Sequence, residues 1–156
     1  MRHVTIESAA WRGDPLRVGL LSDTHVGGPH MPARRVARIV ARMNGERPDL
    51  VVLLGDYVDG HRGMEDRSAA QNAEIAQGIR AFAQLRAPLG VIAAWGNHDW
   101  WYGGAAIEAA FDSAGVPLIE NGSVQLQRAD GPIAIADLGD FLSPNGPPSF
   151  TAALAS

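Results

Sequence analysis

An α/β fold, with a parallel or mixed sheet under covering helices, is what the sequence predicts, and three observations predict it. Short aliphatic runs alternate along the chain with stretches of helical periodicity. The first three of those runs each empty into a cluster of Asp, His or Asn. The size and make-up, 156 residues with 46% hydrophobic and 19% charged, suit one folded core and are too small for two ordinary ones. Strand alternating with helix argues for covering helices, and ligands of such sheets bind beyond the carboxyl ends of the strands.

The first strand is expected over residues 17–21, nearly all apolar, before Ser22-Asp23-Thr24-His25 and the break at Gly27, Gly28 and Pro29. Pro32 suits the first turn of a helix, and Val36, Ile39, Val40 and Met43 recur at helical spacing until Asn44-Gly45 ends it. Arg34, Arg35, Arg38 and Arg42 fill the rest of that helix and read as a solvated face. Residues 50–54 form a second, purely aliphatic strand that opens onto Gly55-Asp56-Tyr57-Val58-Asp59-Gly60. A helix is expected over 68–85, closed by Pro88, and a third strand over 89–95 leads into Gly96-Asn97-His98-Asp99. Another helix follows at 105–114, then short strands at 116–120, 123–127 and 132–136. The domain is expected to cover residues 1–142. Residues 143–156 form a Pro-rich and then Ala-rich tail with little to bury.

Composition removes several chemistries. The net charge of −4 offers no broad positive field for a nucleic-acid backbone, so nucleic acid is not an expected partner. Without cysteine there is no thiolate nucleophile and no Cys-ligated zinc. All thirteen basic residues are Arg, which excludes Schiff-base chemistry and a Walker-type phosphate loop. No glycine-rich dinucleotide fingerprint follows a strand. No apolar run reaches the roughly 20 residues of a membrane span and no signal-peptide core precedes the first strand, so a cytoplasmic protein without a membrane segment is expected.

The strand-end clusters carry what chemistry remains. Residues two apart on extended backbone point to the same side, so Asp23 and His25 can grip one cation together. Asp56 follows Gly55, which allows close backbone approach, and its carboxylate can bridge two cations. Asn97 adds a neutral carbonyl oxygen. Mixed oxygen and imidazole donors suit Mn, Fe, Zn or Mg without choosing among them.

Together, Ser22-Asp23-Thr24-His25, Gly55-Asp56-Tyr57-Val58-Asp59 and Gly96-Asn97-His98-Asp99 resemble the first three signature blocks of the calcineurin-like metallophosphoesterases. The resemblance implies a four-layer α/β/β/α sandwich with a mixed sheet, of which this chain would be the N-terminal portion. It implies a hydrolase of phosphodiester or pyrophosphate bonds, working through two divalent metal ions and a bridging hydroxide. Asp23 and His25 would bind the first metal, Asp56 would bridge both and Asn97 would bind the second. His98 would serve the leaving oxygen, oriented by Asp59. The family's later His and Gly-His-x-His block are not found after Asp140, so the chain reads as truncated relative to the family. A catalytically silent fragment or metal-binding interaction module is the rival reading. His30 and His61 lie in loops near the expected site, where either could substitute as a ligand, although exposed loop histidines are the simpler reading.

The stretch around Leu85 to Val91, Trp95, and Pro117 to Asn121 is similar to small bacterial phosphoesterases that include pyrophosphatases acting on UDP-diacylglucosamine. That likeness implies a phosphorylated small molecule or lipid-linked substrate. Trp100, Trp101 and Tyr102 could receive an acyl chain, a nucleobase or a membrane surface at the site mouth, or pack under the loop.

Overall fold

A computed structural model describes residues 1–155. Strands β1 (Val18–Leu21), β2 (Leu50–Leu53), β3 (Val91–Ala94) and β4 (Leu118–Ile119) lie side by side in sequence order. Each adjacent pair is parallel, and Leu21, Leu53, Ala93 and Leu118 stand level across the sheet. The exits of the first three strands therefore meet at one edge, where the three polar clusters begin. Helices α1 (Ala33–Gly45), α2 (Ala69–Arg80) and α3 (Asn97–Ala114) are the crossovers. Two short strands, β5 (Ser123–Leu126) and β6 (Ile133–Ala136), pair antiparallel as a separate sheet, and α4 (Phe150–Ala155) packs on β5. The α/β expectation holds. The larger sheet is parallel throughout, and among the described residues the antiparallel pairing that a mixed sheet called for occurs in the second, two-stranded one.

The helices form where the periodicity placed them. On α1, Val36, Val40 and Met43 are buried and all four arginines are exposed, so the basic residues are the solvated face. Ser68 caps α2: its hydroxyl accepts from Gln71 N at 3.3 Å while Gln71 Oε1 accepts from Ser68 N at 2.9 Å. A 3₁₀ turn at Ala81–Gln84 finishes that segment. The core joins one side of the sheet, Val51, Leu53 and Ala93, to Val36, Ile75, Ile79, Phe82, Ile107 and Phe111 from the helices. Since α1 packs on α2 and α2 on α3, these helices share that face. On the other side of β1, Val18 and Leu20 are 40% and 59% exposed.

Two expectations are corrected. The third polar cluster is not a loop leaving a strand: Asn97, His98 and Asp99 are the first turn of α3, which runs on through a kink at Gly103 (φ 147°). An Asp at the third helical position can accept from the free N–H groups of a helix start, so Gly96-Asn97-His98-Asp99 reads equally as a helix entry. The tail also buries more than expected, because Ala153 on α4 is 1% exposed.

Candidate metal centre

The loop after β1 is held against the loop after β2 by a ladder that continues past the strands. Asp23 N donates to Gly55 O (3.2 Å), His25 N to Asp56 O (3.0 Å) and Val26 N to Tyr57 O (2.7 Å), and Asp59 N returns to Val26 O (3.0 Å). The buried Thr24 hydroxyl donates to Tyr57 O at 3.1 Å. This ladder forces unusual backbone: Asp23 (φ 54°), His25 (φ 43°) and Asp56 (φ 55°) all take the left-handed conformation. Each such residue costs of order 1 kcal/mol or more, and strain of this kind concentrates at functional sites. The alternation of an extended strand is therefore not what brings Asp23 and His25 together. Their convergence comes from left-handed turns imposed by the neighbouring loop.

Asp99 ties the second loop to the third. Fully buried, it accepts from Asp56 N (2.9 Å) and Gly96 N (3.0 Å) on one oxygen, and from Tyr57 N (2.9 Å) and Val58 N (3.3 Å) on the other. Desolvation raises its carboxyl from 3.8 to about 7, against the lowering effect of those N–H groups. Tyr57, 1% exposed, adds a second tie, its hydroxyl reaching Ala94 O at 2.7 Å while accepting from Gly55 N at 3.2 Å. Glycines let these loops touch. A Cβ on Gly55 would stand 2.8 Å from Gly96 Cα, one on Gly96 2.8 Å from Asp56 Cγ, and one on Gly60 2.7 Å from the carbonyl carbon of His98.

On this frame Asp23, His25 and Asp56 each present a ligand atom, all within 4.8 Å of one another. His25 Nε2 lies 3.8 Å from Asp23 Oδ1, and the Ser22 hydroxyl bonds the other oxygen of Asp23. Among the described residues no Arg pairs with any of the three. Two carboxylates and an imidazole converging without a protein cation suit a bound divalent metal. Asn97 is set between Gly96, packed on Asp56, and His98, whose N–H donates to Asp56 Oδ1 at 3.1 Å.

His98 stands beside this set. Its Nδ1 accepts from Gly60 N–H at 3.1 Å, so the neutral ring carries its proton on Nε2. Burial lowers its pKa, with His25 and His61 adding to the effect and Asp56 and Asp59 opposing it. The hydrogen bond that orients His98 thus comes from Gly60. Asp59 supplies a carboxylate within 4.8 Å of it and lies 3.9 Å from His61 Nε2.

His61, expected as an exposed loop histidine, stands at the site. Its ring is 4.7 Å from that of His98, and with Asp59 and His98 it forms a second group of converging ligand atoms. The signal was present, since His61 follows Asp59 by two residues as His25 follows Asp23. His30 belongs to neither of these groups; its backbone carbonyl accepts from Arg35.

A family model described as calcineurin-like phosphoesterase matches residues 16–151. The chain is 28% identical over 134 residues to the uncharacterized metallophosphoesterase YkuE of Bacillus subtilis, covering 85% of this chain and 44% of that protein. It is 30% identical over 132 residues to a transmembrane protein with metallophosphoesterase domain of Danio rerio, covering 81% and 27%. An uncharacterized metallophosphoesterase of Aquifex aeolicus is 33% identical over 92 residues, covering 59% and 31%. The chain thus spans less than half the length of these relatives. No helix among the described residues is long and apolar enough to cross a membrane.

Proposed function

Since the chain belongs to the calcineurin-like phosphoesterase family, we propose that it holds the metal ligands of a site that hydrolyses a phosphodiester or pyrophosphate bond, in a phosphorylated small molecule or its lipid-linked form. The observation that carries this reading is the convergence of Asp23, His25 and Asp56 to within 4.8 Å, on strained backbone and without a protein cation. Two divalent cations held by Asp23, His25, Asp56 and Asn97, with Asp56 shared, would acidify water between them and neutralise charge on the phosphoryl oxygens.

The protein's own groups supply the rest. His98, whose pKa burial lowers, presents Nε2–H as a hydrogen-bond donor toward the charge that develops on the leaving oxygen. The Gly60 N–H holds the ring, and the Asp59 carboxylate lies within 4.8 Å of it. Asp99 and Tyr57 fix the separation of Asp56 and His98 by tying both of their loops to one point.

The test uses the chain with Mn²⁺ and bis(4-nitrophenyl) phosphate, alongside calorimetric titration of Mn²⁺. Chelator should abolish turnover, and Asp56→Asn should lower it at least about 100-fold while weakening Mn²⁺ binding. Turnover that survives chelation, or Asp56→Asn at wild-type rate, would refute the proposal. Mn²⁺ binding that depends on Asp56 without turnover would favour the metal-binding module instead.

A further inference from the structure

The three aromatic residues after Asp99 divide between two tasks. Trp100 stacks on Trp95 at 3.9 Å and 13°, and Tyr102 is 4% exposed with its hydroxyl donating to Asn72 Oδ1 at 3.0 Å. Both of those pack the entry of α3. Trp101 stays 47% exposed, and its ring lies 4.9 Å from that of His98, tilted by 44°. An indole half in water gives up burial free energy that its two neighbours gain. His61, its side chain 77% exposed, meets His98 as well, at 4.7 Å.

We propose that Trp101, with His61, walls the subsite for the leaving group, and that this group carries a flat aromatic ring. The inference rests on the reading of His98 as the hydrogen-bond donor to the leaving oxygen and goes beyond it. With Nδ1 taken by Gly60, the donor atom is Nε2. The receiving oxygen must lie within about 3 Å of that atom. Whatever is esterified to this oxygen starts there, within reach of Trp101 and His61, the two of the three rings contacting His98 that are not on the metal-ligand residue His25. Indole and imidazole faces offer π surface on which a planar ring can stack. Stacking of a planar ring on an aromatic side chain is strong enough to select for it and tolerant of the ring's identity.

Calorimetry on the Mn²⁺-loaded chain tests this with phenylphosphonate, methylphosphonate and inorganic phosphate. Phenylphosphonate should bind about tenfold more tightly than methylphosphonate. That preference should fall to near one in Trp101→Ala and largely return in Trp101→Phe, a pattern that a general loosening of the fold would not give. An unchanged preference in Trp101→Ala, or no preference in the wild type while phosphate binds, overturns the subsite alone. Failure of all three ligands to bind the wild type overturns the metal-centre reading, and the subsite falls with it. Adenosine 5′-monophosphate adds an arm: binding that weakens in Trp101→Ala identifies a nucleobase, and phenylphosphonate dependence without it identifies a smaller aryl group.

Discussion

Replacing Gly96 with Ala tests whether the site depends on contact between the second and third loops. Gly96 has φ −114° and ψ 162°, backbone that Ala adopts freely, so any penalty must come from space alone. The added Cβ would stand 2.8 Å from Asp56 Cγ and would overlap the Asp56 nitrogen. Carbon atoms pack at about 3.5 Å or more, so Asp56 must retreat by roughly 1 Å. Asp99 cannot give way, because its four hydrogen bonds bind both loops at once. Overpacking of this size costs about 1–3 kcal/mol of stability. A shift near 1 Å in a metal ligand should also cost on the order of 100-fold in catalytic efficiency. Urea denaturation in chelator reads the first effect and Mn²⁺ titration with phosphodiester turnover reads the second. Gly45→Ala is the control: it is exposed on α1 with open space around it, and should stabilise the chain by about 0.5–1 kcal/mol. Gly96→Ala with wild-type stability and Mn²⁺ affinity would refute the reasoning.

Two further outcomes follow from the ties between the loops. Because Asp99's carboxyl is raised from 3.8 to about 7, the folded chain binds more protons than the unfolded chain across that window. Its contribution is full below pH about 4 and is lost as pH rises through about 7. In metal-free protein, denaturation at stepped pH should show that decline, and Asp99→Asn should remove it; the same slope in both proteins would exclude Asp99 as its source. Tyr57→Phe leaves Gly55 N–H without its acceptor and should cost about 1–3 kcal/mol by thermal denaturation, where an unchanged melting point would argue against the tie.

The sequence by itself determined the order and type of the elements and the residues worth watching. Aliphatic runs and helical spacing are local patterns, and burial against any neighbour is enough to select them, so β1 to β3 and α1 to α2 lie where the pattern put them. Only the tertiary structure decided how the clusters meet. The left-handed conformation of Asp23, His25 and Asp56 depends on hydrogen bonds to a loop more than thirty residues away, which no local period encodes. In the same way Gly60 rather than Asp59 grips His98, His61 joins the site, and of three consecutive aromatic residues only Trp101 stays open to it. The physical reason is register: parallel pairing of β1, β2 and β3 sets which strand exits stand level, and contacts across those exits then choose each side chain's direction.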